Sequence, residues 1–159
     1  MQNQQVVSTF AHLVDEYERF QGFIAKAESM RERYRSEVVE RVIADHASRA
    51  DALLNELVPL MVDVDLAAQH AQEQVAEAQG ELDTYHMRQQ ERDLRVLIGE
   101  LDEEAARTLA SDDAAALEAA EQRADALGTQ KDVLDALLVR WDALGRAAGI
   151  LATSDAADA

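Results

Sequence analysis

Residues 36–98, SEVVERVIADHASRADALLNELVPLMVDVDLAAQHAQEQVAEAQGELDTYHMRQQERDLRVLI, decide how the chain folds. Their apolar seam runs Val39, Ile43, His46, Ala50, Leu53, Leu57, Leu60, Val64 in alternating steps of four and three. That spacing keeps one helix face turned toward neighbouring helices. Pro59 lies inside the seam's span but off the seam itself. An interior proline costs about 3 kcal/mol and has no N–H to give the preceding turn. Because Leu57, Leu60 and Val64 hold phase across it, the sequence predicts a kink rather than a break.

Past Val64 the seam continues as Ala68, Ala71, Val75, Ala78, Leu82 and Tyr85. Two successive steps of four around Val64 read as a stutter, which locally unwinds a left-handed supercoil. Alanine slots let a neighbour approach closely while burying little area. Residues 88–93, RQQERD, contain nothing apolar and predict a solvated helical segment. Arg88, Arg92 and Arg95, interleaved with Glu81, Glu91, Asp93 and Glu100, read as a surface ion-pair lattice of small energetic value.

Toward the N-terminus, Val6, Phe10, Leu13, Tyr17, Phe20, Ile24 and Ala27 repeat the same steps, and Val7, Val14 and Phe23 widen the stripe. So broad a face suits two neighbouring helices. The pattern predicts a helix over 5–34, a tight turn at 33–36, and Ser36 as the N-cap of a second helix over 36–98. Arg31, Arg33 and Arg35 make this corner locally basic, which complements the negative end of the first helix. Toward the C-terminus, Gly99 reads as a stop and Asp102 as an N-cap, with Ser111 as a second possible start. Leu117, Ala120, Ala124, Leu127, Lys131, Leu134, Leu138 and Trp141 form a third seam, with Leu137 and Leu144 beside it, and predict a helix over 102–148. Lys131 is its odd slot, read as a register or snorkelling residue. The small, polar residues 149–159 are expected to be disordered.

These elements give an all-α fold, an elongated antiparallel coiled coil of helical hairpins built on one long central helix of about 90 Å. Short turns force antiparallel neighbours, so the first helix covers the first half of the central one and the third covers its second half. Each hairpin would keep spare apolar surface, which a homodimer would cover.

Composition narrows the function classes. The 159 residues include one proline, six glycines and no cysteine, so there is no disulfide framework, thiol nucleophile or thiolate metal site. The formal net charge of -17 argues against nucleic acid and anionic membrane surfaces as partners. It reads as a solubilising helical surface, or as complementary to a basic partner. No apolar run reaches membrane-spanning length, and MQNQQVV does not read as a signal peptide, so a cytoplasmic location is expected. The scarcity of lysine, two of 15 basic residues, suggests a GC-rich bacterial genome.

Chemistry-bearing motifs are sparse. A dinuclear metal bundle needs paired Glu-x-x-His motifs with further inward carboxylates, and the nearest match is a single Asp83-Thr-Tyr-His86. No His-Glu-x-x-His, phosphate-binding glycine loop or Gly-x-Ser-x-Gly occurs. His12, His46, His70 and His86 are scattered, and seam-bound His46 reads as a hydrogen-bonded register residue. A metal-dependent helical-bundle enzyme is therefore disfavoured, and no cofactor is expected.

The turn and seam of residues 34–60, with SEVVERVIADH and LLNELVPL, followed by LRVLIGELDEEAA, resemble bacterial coiled-coil hairpin proteins that often carry a C-terminal zinc ribbon. In that family the coiled coil serves as a protein-binding module, in some cases toward the transcription or motility machinery. Without cysteine this chain has no such ribbon, so the resemblance implies architecture and protein binding only. The sequence thus points to a non-enzymatic, acidic, dimeric adaptor or scaffold. A hairpin regulator of the transcription or motility machinery is the alternative. Five of the seven aromatics lie in the first 34 residues, and aromatics concentrate in cores and interfaces. The expected partner-binding residues are Phe10, Tyr17, Phe20 and Phe23 with the corner arginines Arg31, Arg33 and Arg35.

Overall fold

The structure, a computed structural model, describes residues 2–151 as three helices: α1 (Gln2–Ser29), α2 (Ser36–Leu97) and α3 (Glu103–Ala147). No strand occurs among the described residues, and the fold is an all-α helical hairpin arrangement. The residues form two compact units. One comprises residues up to Ala67 together with those from Leu137 onward; the other is Ala68–Ala136.

In the first unit α1, the first half of α2 and the last turns of α3 share a core of Phe10, Val14, Tyr17, Phe20, Val39, Ala50, Leu57, Val64, Ala67, Leu137 and Trp141. This differs from the expected pairing, in which α3 accompanied only the second half of α2. The third neighbour explains why Val14, a flank of the α1 stripe, is fully buried while the seam residue Leu13 is only half-buried. Trp141 meets Phe10 edge to face, with ring centroids 5.6 Å apart at 75°. Such a pair contributes about 1 kcal/mol beyond area burial. Arg140 Nη2, one residue earlier, donates to Asp15 at 2.6 Å and Glu18 at 2.9 Å, fixing α3 against α1. Tyr17 is buried up to its hydroxyl, which accepts from Gln21 Nε2 at 2.9 Å.

The second unit has a thin core of Ala78, Ala120 and Leu134, as the alanine-lined seam implies. Ion pairs between its helices add to this core: Arg123 reaches Glu81 at 2.9 Å, and Arg92 reaches Asp113 at 2.8 Å. Lys131 is half-buried and pairs with Asp135 one turn on.

Three local expectations change. α1 ends at Ser29, five residues short of the expected end, because Met30 and Arg33 turn back onto the carbonyls of Ala27 and Met30 at 3.1 and 3.0 Å. Arg35, not Ser36, is the N-cap: its carbonyl accepts from Val38 and Val39 at 3.0 and 3.2 Å, and Ser36 is the first helical residue. After Val64 the best-buried residue is Ala67, three positions on, while the expected seam residue Ala68 is half-buried.

α2 runs unbroken through Pro59. Both Pro59 and Asn55, whose carbonyl the proline cannot serve, are exposed, so water can satisfy that acceptor. Gly99 closes α2 in a left-handed conformation at φ 81°. Its N–H donates to Val96 and that of Glu100 to Arg95, the paired bonds of a Schellman motif. Asp102 caps α3, its carboxylate accepting from Ala105 N–H at 2.7 Å, and the helix passes through Ser111 without restarting. Gly149, at φ 75°, repeats the Schellman closure on α3, and Leu151 folds back over the buried Gly145. The first three residues of the expected disordered tail are therefore ordered; residues 152–159 lie outside the described residues.

Candidate functional site: the α1–α2 corner

The residues expected to face a partner separate into two groups. Phe10, Tyr17 and Phe20 are enclosed in the first unit, where they leave almost no surface for another molecule. Phe23 is 37 % exposed. It packs at one edge of a ring cluster with Phe20, at 6.0 Å, and His46, at 5.1 Å, under the guanidinium of Arg19. His46 is thus a packed ring rather than a hydrogen-bonded register residue: its Nδ1 is buried without a partner among the described residues. An aromatic pair on α1 supplies the surface that a polar seam residue would otherwise lack.

Arg31 is structural. Its guanidinium binds Glu28 of α1, with one bond at 2.8 Å, and Glu40 of α2 at 2.6 Å, clasping the two helices across the turn. The hydrogen bond from Arg31 holds the Glu28 carboxyl below its ordinary range, and both carboxylates raise the Arg31 pKa.

Arg33 and Arg35 are exposed and differ from Arg31 in their pairing. Of the chain's 15 basic residues, eleven form ion pairs among the described residues. The four that do not, Lys26, Arg33, Arg35 and Arg41, all fall within residues 26–41. Around them stand exposed apolar side chains: Phe23, Met30, Tyr34 at 62 %, Val38 and Val42. Residues 26–41 carry five basic and four acidic side chains, a net of +1 in a chain of net -17. Sequence reading found the basic corner but could not separate Arg31 from Arg33 and Arg35, since that depends on which carboxylates α2 brings near. It also passed over Val38 and Val42, whose spacing falls outside the seam.

Elsewhere, a groove between α2 and α3 of the second unit is lined by Arg88, Arg92, Arg95, Glu100, Asp112 and Asp113. Its arginines are all engaged: Arg88 and Arg92 by Asp113, and Arg95 by Glu91 and Glu100. Among the described residues no three His, Asp or Glu side chains are grouped to hold a metal ion. Among the described residues no helix is long and apolar enough to cross a membrane. Comparison with protein-family models, curated proteins and solved structures finds no match to this chain.

Proposed function

We propose that this chain is a non-enzymatic, acidic helical scaffold that works in a bacterial cytoplasm by protein–protein contact, self-association included, with the α1–α2 corner as its docking surface. One observation carries the reading: every unpaired basic side chain among the described residues lies at that corner, beside exposed apolar side chains. Burying apolar area supplies affinity, and unpaired arginines set orientation and partner choice. An arginine already satisfied within its own fold would have to break a bond to do so.

The experiment is affinity capture from extract of the source cell with wild type, an Arg33→Glu/Arg35→Glu variant and an Arg146→Glu control, Arg146 pairing only with Asp142 of its own helix. All three sites are exposed, so the fold is retained to within about 0.5 kcal/mol. Capture by the corner variant is expected to fall at least about tenfold, with the control unchanged. Equal capture by both variants would show that the corner is not the docking surface.

A further inference from the structure

The corner calls for a partner with exposed apolar side chains flanked by free carboxylates, and the chain itself carries that surface at the α2–α3 turn. Leu97 is 83 % exposed, the highest value among the large apolar residues described, and Ile98 (65 %) and Leu94 (57 %) stand beside it. Residues 91–104 hold six acidic and two basic side chains, a net of -4. Both basic residues are engaged, Arg92 by Asp113 and Arg95 by Glu91 and Glu100. Asp93 and Glu104 have no ion-pair partner among the described residues, and Glu103 meets only Arg107 of its own helix at 3.8 Å. The Schellman closure at Gly99 and the Asp102 cap fix this turn, so it needs little ordering on binding.

We infer that the α1–α2 corner of one copy receives the α2–α3 turn of a second copy. Phe23, Met30, Tyr34, Val38 and Val42 cover Leu94, Leu97 and Ile98, while Arg33 and Arg35 meet Asp93, Glu103 and Glu104. The contact is heterologous, because the two surfaces are different parts of the chain. Each copy therefore keeps one free corner or one free turn, and assembly can continue beyond two. The other exposed apolar row, Val58, Val62 and Leu66, also lies in an acidic stretch, residues 50–87 having no Lys or Arg. The turn is favoured because its apolar side chains are collectively the more exposed.

This inference rests on the reading of the corner as a docking surface, and sedimentation of the full chain separates the two. Wild type is expected to gain mass with concentration and to lose it in about 0.5 M salt, where screening acts within about 4 Å. Arg33→Glu/Arg35→Glu disables the corner, and Leu97→Gln/Ile98→Gln disables the turn. Each alone should associate at least about tenfold more weakly than wild type. Mixed one to one they retain one intact corner and one intact turn, so the mixture should form a species of twice the 17.5 kDa chain mass and stop there. Wild type that stays monomeric, variants that associate as wild type does, or a mixture that stays monomeric would each overturn the head-to-tail contact. In the first case, loss of capture by the corner variant would still uphold the docking surface for another acidic protein.

Discussion

Trp141 shows most clearly how a residue changes meaning between sequence and structure. In the sequence it ends a seam on the third helix; in the structure it is buried against Phe10 of the first. Its indole N–H has no partner among the described residues, a cost of about 1–3 kcal/mol that ring burial must offset. Trp141→Ala is therefore expected to lower unfolding stability by about 3–5 kcal/mol in urea. Trp141→Phe should cost less, because it removes the unpaired N–H together with part of the ring. Equal costs would contradict this, because phenylalanine keeps a ring to pack near Phe10 and alanine does not. The aromatic residues of α1 follow the same logic. Periodicity marked Phe10, Tyr17 and Phe20 as important, but it cannot distinguish a helix of the same chain from a partner as the covering surface. Likewise no spacing rule tells which of Arg31, Arg33 and Arg35 finds a carboxylate, since Glu40 arrives only when the turn closes.

At the scale of elements, the boundaries legible in the sequence were those written in backbone chemistry. Gly99 and Asp102 act as stop and cap because a left-handed residue and a carboxylate acceptor are needed there, and few other residues supply them. α2 starts at Ser36 as expected, but Ser36 is not its cap: a backbone turn lets the Arg35 carbonyl serve. The central helix survives Pro59 because its seam residues Leu57 and Val64 are fully buried on either side, while the proline itself faces outward. The cost of the missing hydrogen bond remains. Pro59→Ala should accordingly stabilise the chain by about 1–3 kcal/mol without changing its helical content by circular dichroism. A loss of stability would mean that the ring makes a contact worth more than the bond it removes.

Taken whole, the molecule pairs most of its positive charge internally and leaves the remainder in one place. The all-α class and the long central helix follow from the seam of residues 36–98, which is local information. That α3 contributes Leu137 and Trp141 to a core with α1 does not, because it depends on helix lengths and on how far the third helix runs past its partner. The extra helix fills apolar surface that would otherwise have invited a dimer, and it leaves the corner as the place where unpaired basic side chains meet exposed apolar ones, and the turn as the more exposed of the two apolar groups in acidic surroundings. A photoreactive phenylalanine analogue in place of the exposed Tyr34 tests this most directly, with adducts mapped by mass spectrometry on mixed isotope-labelled and unlabelled chains. The account predicts an adduct joining two copies, with the second attached within residues 94–104; attachment at residues 50–87, or no adduct between copies at associating concentrations, would contradict it.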